Sequence, residues 1–151
     1  MSLHYWFKFI LVALLSVSNF VFAEEAQPAT VKIEINGLEE ISGDLYLAVY
    51  DSSDAWLGDG VVLSQKIVID EARNGDLVVA EFEVAQGNYA FTIFYDENTN
   101  GDLDTNFIGI PKEPIALSNN ARAKFGPPKF DDAVFEVGSA PVLQRIDMTE
   151  I

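Results

Sequence analysis

Tyr89-Ala90-Phe91-Thr92-Ile93-Phe94-Tyr95 is apolar or aromatic at nearly every position. Successive side chains of an extended chain point to opposite faces, so this run predicts a strand covered on both sides, the centre of a sheet. Its neighbours keep a period of two. Thr30–Asn36 alternates Val31, Ile33 and Ile35 with Lys32 and Glu34, the pattern of a half-buried strand. Asp44–Tyr50 sets Leu45, Leu47 and Val49 against Tyr46, Ala48 and Tyr50. Val61–Ile69 and Leu77–Val84 read as a further pair, with Asn74-Gly75 as the hairpin signal between them, and Asn36-Gly37 gives the same signal after the first strand. Ala133–Val137 and Pro141–Met148 read as closing strands, with Val142 and Ile146 on a different face from Leu143 and Arg145.

About seven short strands at regular spacing predict an all-β fold. The architecture expected is a two-sheet antiparallel sandwich of the immunoglobulin or prealbumin kind, with one long irregular segment. A small closed barrel is the competing architecture. The irregular segment is Asp96–Asp132, which is rich in turn-formers and carries four prolines. Loops of such length are often functional, so chemistry is sought there.

Charge and composition narrow that chemistry. The 151 residues include 24 acidic and 9 basic ones, for a formal net charge of −15, with no cysteine and one histidine, His4. Residues 1–23 read as a signal peptide: Lys8 opens the segment, Phe9–Val17 is apolar, and Val21-Phe22-Ala23 precedes Glu24-Glu25. A membrane anchor is the alternative, but the flank is acidic and Ser16, Ser18 and Asn19 interrupt the apolar stretch. The expectation is therefore an exported protein, periplasmic or extracellular. Residues 24–151 form its single β-sandwich domain, without stable membrane insertion after cleavage. Loss of His4 leaves no imidazole base, and the missing cysteines exclude disulfides, thiolates and Cys-based zinc sites. A polyanion of this kind repels phosphate backbones, which argues against nucleic-acid binding.

The central strand runs directly into Asp96-Glu97-Asn98-Thr99-Asn100-Gly101-Asp102-Leu103-Asp104. Against the calcium-loop template, Asp96, Asn98 and Asn100 stand at positions 1, 3 and 5, Gly101 at the sharp turn, and Asp102 at the position that offers its carbonyl. Oxygen-bearing side chains at every second residue suit a tight loop wrapped round a hard cation. The match ends at position 12, where Phe107 stands instead of a bidentate Glu. The candidate metal ligands are Asp96, Asn98, Asn100, Asp102, Asp104 and Asn106. An all-oxygen set favours Ca²⁺ over zinc or copper. Leu103 is expected to anchor the loop in the core. The plainer reading is an acidic turn, since Asp and Asn favour turns for their own reasons.

Beyond the loop, Lys112, Arg122, Lys124 and Lys129 reverse the local charge. Ser118, Asn119, Asn120, Arg122 and Lys124 are candidate binding residues for an anionic group or a sugar. The competing expectation is that these cations pair internally with the acidic loop and the strands. Phe125 and Phe130 flank Gly-Pro-Pro and are expected to pin the segment to the sandwich.

Several blocks occur in a distinctive order. They are Asp96-Glu97-Asn98-x-Asn100-Gly101-x-Leu103-Asp104-Thr105-Asn106, Gly109-Ile110-Pro111-Lys112-Glu113, Ser118-Asn119-Asn120-Ala121 and Phe125-Gly126-Pro127-Pro128. In these the chain resembles the exported bacterial proteins grouped as domain-of-unknown-function family 2141, over roughly residues 31–148. It departs from that form at Thr99, where Gly is usual, and at Leu117, where an aromatic often precedes Ser-Asn-Asn. The resemblance implies export and a β-rich domain and brings no established activity.

The function expected is an exported, non-catalytic module whose calcium-ordered loop presents the long segment to an envelope protein or a glycan. One alternative is a carrier of a small ligand in the sandwich core, lined by Tyr46, Tyr50, Trp56, Tyr89, Phe91 and Phe94. The other is a carboxylate-based hydrolase, for which Asp131-Asp132 is a poor pair if the two sit on a strand.

Overall fold

The computed structural model describes residues 27–38, 42–122 and 126–148. The signal-peptide reading, Lys124 and Phe125 lie outside these residues. Two sheets enclose one main core. The first is built from β1 (Ala29–Asn36), β4 (Arg73–Asn74), β5 (Leu77–Val84) and β9 (Val142–Asp147), in the order β4-β5-β1-β9. The second is built from β2 (Asp44–Tyr50), β3 (Leu63–Val68), β6 (Gly87–Asp96) and β7 (Ile115–Leu117), in the order β3-β2-β6-β7. A ninth strand, β8 (Phe135–Val137), joins the same edge of β6 as β7 but nearer its start. The described residues form no barrel; their architecture is the two-sheet sandwich.

The alternating positions do what their spacing predicts. Val31, Ile33 and Ile35 of β1 meet Leu45, Leu47 and Val49 of β2 in the main core, together with Val78, Phe82, Phe91, Ile93 and Ile146. β6 is central and packs on both sides. Phe91, Ile93 and Tyr95 face the main core, while Ala90 joins Leu117 and Ala133 in a second, smaller cluster with Trp56 and Phe130 against it. Trp56 is half-buried there, edge-on to Tyr50 and to Phe130, and its indole N–H donates to the Pro128 carbonyl at 2.8 Å. Phe130 thus pins the Gly-Pro-Pro stretch, as expected.

Four expectations need correction. The sandwich is not wholly antiparallel, because β9 runs parallel to β1, with Val31 opposite Val142 and Ile35 opposite Ile146. This register keeps the apolar sets of both strands facing inward, and it also brings Gln144 to an inward position. Second, β3 and β5 are not a hairpin: β3 pairs β2 and β5 pairs β1. Ile69, expected at the end of the third strand, instead opens α1 (Ile69–Ala72). The Asn74-Gly75 signal closes only the small β4–β5 hairpin, with Gly75 at φ +67°. Third, Asn36-Gly37 is not a hairpin turn either. Gly37, at φ +77°, lies so close to the Met148 carbonyl that a Cβ there would stand 2.5 Å from its oxygen. Fourth, Asp96–Asp132 is not irregular throughout, since it holds β7, the turn Ser118–Asn120 and the start of α2 (Phe130–Ala133). Both β4 and β7 are too short for periodicity to reveal, which is why nine strands stand among the described residues where about seven are expected.

Candidate functional site

The root of the acidic loop is the last residue of β6. Asp96 pairs across the sheet with Asp44 and is 1% exposed. Its two carboxylate oxygens accept the backbone N–H groups of Asn100 at 3.1 Å and Gly101 at 2.8 Å. Asn98 Oδ1 also accepts from Asn100 N, at 3.0 Å, and Asn100 Oδ1 accepts from Asp102 N at 2.7 Å. Short Asp and Asn side chains bend a chain this way by replacing a backbone acceptor in each turn. Gly101, at φ +85°, supplies the left-handed residue that the reversal needs.

Asp104 closes the loop. Its Oδ2 accepts from Asn98 Nδ2 at 2.6 Å, and its Oδ1 accepts a longer contact from Asn100 Nδ2 at 3.5 Å. Asp96, Asn98, Asn100 and Asp104 are therefore brought together in one hydrogen-bonded ring. The side chain of Asp102 is exposed. Asn106 stands apart from the ring. Its Oδ1 accepts from Ile108 N and Ile110 N, each at 3.0 Å, and this uses both lone pairs of the oxygen. Leu103 does not reach the core but is 36% exposed.

Glu113 is the residue that sequence reasoning missed. It is 4% exposed, and its carboxylate clamps both ends of the loop, accepting from Glu97 N at 3.1 Å and from Asp104 N at 2.9 Å. The bidentate acid absent from position 12 is thus matched by an acid further along the chain, bonded to backbone donors. A charged residue set between Pro111 and Pro114, just ahead of the buried Ala116 and Leu117, is the signal that could have singled it out.

A cation stands near the root of the loop, and it comes from β3. Lys66 Nζ lies 2.6 Å from Asp44 Oδ2. The hydrogen bond to Asp44 holds the ammonium pKa above its ordinary value; desolvation opposes this, and the charges of Asp44, Tyr46 and Asp96 add to it. Lys124 lies outside the described residues, and the expected internal pairing is not found for the other later cations. Among the described residues, the ion pairs are Lys32–Glu34, Lys66–Asp44 and Arg145–Glu34, and Lys112, Arg122 and Lys129 take part in none of them.

Ser118–Asn120 is placed inside the fold's own bonding. Ser118 is fully buried; its hydroxyl accepts from Phe91 N at 3.0 Å and donates to the Ala133 carbonyl at 2.6 Å. Asn119 Nδ2 donates to the carbonyls of Ala133 and Val134, while its Oδ1 and its backbone N–H engage both ends of the Gln144 amide. Asn120 bonds the Arg145 carbonyl and the Asp147 N–H. These three residues join β6, α2 and β9, and this is what satisfies the inward Gln144. Of the other candidate binding residues, Arg122 is exposed.

The aromatics considered for a carrier do not line one space, because alternate positions of β6 face opposite ways. Phe91 lies in the main core against Phe135, Tyr46 and Phe94 stack on the other face of the second sheet, and Tyr50 and Trp56 meet at the small cluster. Asp131 and Asp132 sit side by side in the exposed first turn of α2, not on a strand.

For a hard cation the ring offers two carboxylates and two side-chain amides, with backbone carbonyls available. No group of three acidic or histidine side chains gathers among the described residues, so a site here would have to draw on the amides as well. That all-oxygen chemistry fits calcium. Among the comparisons, the model of a family described as an uncharacterized protein conserved in bacteria, DUF2141, matches residues 33–144. No curated protein and no solved structure matches the chain.

Proposed function

The chain belongs to the DUF2141 family, and from that premise and the geometry of its acidic loop we propose an exported, non-catalytic calcium module. Asp96, Asn98, Asn100 and Asp104 supply side-chain oxygens and Asp102 its backbone carbonyl. The observation that carries the reading is the hydrogen-bonded ring at Asp104. There the amides of Asn98 and Asn100 present partial positive charge to a carboxylate, and a cation would replace them. Most oxygens of the ring accept a single hydrogen bond, so lone pairs remain for a metal. Affinity in the range of extracellular modules, about 0.1–1 mM, suits a site with only two carboxylates. At a calcium concentration about 100-fold above the dissociation constant, the domain would gain about 2.7 kcal/mol. The ordered loop then presents the segment beyond it to a partner in the cell envelope, a protein or a glycan.

Calorimetric titration of calcium into chelator-stripped residues 24–151 tests this directly. Saturable binding is expected, lost in both Asp96→Ala and Asp104→Ala. Heat no larger than that of the variants at several millimolar calcium would reduce the loop to an acidic turn.

A further inference from the structure

Immediately after the acidic loop, Asn106–Ile110 forms a hairpin tip whose apolar side chains face solvent. Phe107 is 98% exposed, Ile108 65% and Ile110 45%. Single exposed apolar residues are ordinary on protein surfaces, but three of four consecutive residues at one projecting tip are a contiguous patch. The tip is also held in shape. Asn106 N donates to the Ile110 carbonyl at 2.8 Å and Gly109 N to the Asn106 carbonyl at 3.0 Å, while Asn106 Oδ1 takes the N–H groups of Ile108 and Ile110. Gly109 is left-handed at φ +81°, and below the tip Thr105 bridges Pro111 and Lys112 N donates to the Asp104 carbonyl. Four backbone donors of the tip are therefore satisfied internally and would lose nothing on removal from water.

We propose that Phe107, Ile108 and Ile110 form a preformed knob that seats in an apolar socket rimmed by Lys and Arg on a protein partner. This rests on the part of the functional reading in which the segment meets a partner, and not on calcium. Charge selects the socket. Glu97 and Asp102 are exposed on the loop behind the tip, with the exposed Lys112 at its base, and the chain as a whole carries −15. That collar complements a basic rim. It opposes insertion among anionic lipid headgroups and the approach of a second copy, which carries the same negative charge. A rigid aromatic at the centre of a polar ring is also the usual form of an interface anchor.

The test places a photo-reactive phenylalanine analogue at position 107 of the full chain, in the cells that make it. Positions 57 and 143 serve as controls, because Leu57 and Leu143 are exposed apolar residues, at 45% and 42%, comparable with Ile110, and lie away from the tip. The expected result is one discrete protein adduct from position 107 alone, formed with or without chelator. Its yield should fall about tenfold with Ile108→Asp and Ile110→Asp. It should fall about threefold with Glu97→Lys and Asp102→Lys, or in high salt. Melting of each variant by circular dichroism checks that the fold is intact, which the exposure of these side chains predicts. An adduct of twice the chain's own mass, a lipid adduct, equal labelling at all three positions, no adduct, or a yield indifferent to charge reversal would each overturn the proposal. An adduct that survives chelation while calorimetry finds no calcium would sink the calcium reading alone. Calcium binding without an adduct would sink the knob alone.

Discussion

Asp96–Asp104 and Ser118–Asn120 both place small polar side chains on left-handed backbone, yet their bonds span very different lengths of chain. Thr99 and Gly101 in the first, and Asn119 and Asn120 in the second, have φ between +52° and +85°. The side-chain bonds of the first region close within six residues, apart from the clamp of Glu113. Those of the second reach 14 to 27 residues away, to β6, α2 and β9. Local bonds shape a loop and leave Asn98 and Asn100 at the surface above the buried Asp96. Distant bonds hold separate elements together, even where, as at Asn119 and Asn120, the residue that makes them is exposed. The same residue types can thus make a candidate site or a structural joint, and the span of their bonds distinguishes the two.

If that distinction is right, the largest loss of stability belongs to the joint. Asn119→Ala removes the acceptor of Gln144 Nε2 and the donor to the Val134 carbonyl, while the backbone bond to Gln144 Oε1 stays, and it puts alanine, which tolerates the left-handed region less well than asparagine, at φ +58°. The expected cost is about 3 kcal/mol. Asn119→Gly should recover about 1 kcal/mol of it, the backbone share, since glycine accepts the left-handed region. Urea unfolding with an unchanged slope measures both. A cost for Ala below about 1 kcal/mol would make the joint an ordinary surface turn.

Next in size is the clamp. Glu113→Gln sets an NH₂ group against one of the two backbone donors that the carboxylate now accepts, at a cost of about 2 kcal/mol. Here the loss should be local. Hydrogen exchange should accelerate at the amides of Glu97 and Asp104 while those of β1 and β2 stay protected, and calcium affinity should drop with it. Uniform acceleration through both sheets would instead place the loop inside the cooperative core.

How much of this was legible in the sequence depends on bond length in the same way. Alternation within one strand is a local signal, which β1, β2 and β5 follow, and the unbroken apolar run of β6 is equally local. The acidic loop is likewise local, so Asp96, Asn98 and Asn100 stand out at once. Glu113 acts across nine and sixteen residues, and Ser118 across fifteen and twenty-seven, so neither role has a spacing to betray it. The parallel partner of β1 was hidden for the same reason, although Gln144 between Val142 and Ile146 was its trace. One local misfit is visible at Thr99. The structure gives it φ +60°, a costly conformation for a β-branched residue. Thr99→Gly should therefore stabilise the domain by about 1 kcal/mol, the strain relieved exceeding the entropy that glycine adds to the unfolded chain. A destabilised variant would mean that the Thr99 hydroxyl, 2.7 Å from the Asn98 carbonyl, outweighs its backbone strain.

The smallest effect concerns the cation at the root of the loop. Lys66 is held in its charged form first by the hydrogen bond to Asp44, against desolvation, with Asp44, Tyr46 and Asp96 adding favourable charge. Its pKa in the folded protein is thus above the unfolded value of 10.5. A group raised on folding contributes stability that is complete below the unfolded pKa and is lost as pH climbs through the folded one. The wild-type protein should accordingly lose a small increment of stability as pH rises above 10.5, and Lys66→Met should lack that increment. The ammonium is exposed, so the step is small and should shrink further in salt. Unfolding midpoints for the two proteins across that pH range, at low and high salt, decide the matter. Parallel curves would show that the acidic end does without Lys66, and that Asp44 and Asp96 rely on backbone donors and solvent alone.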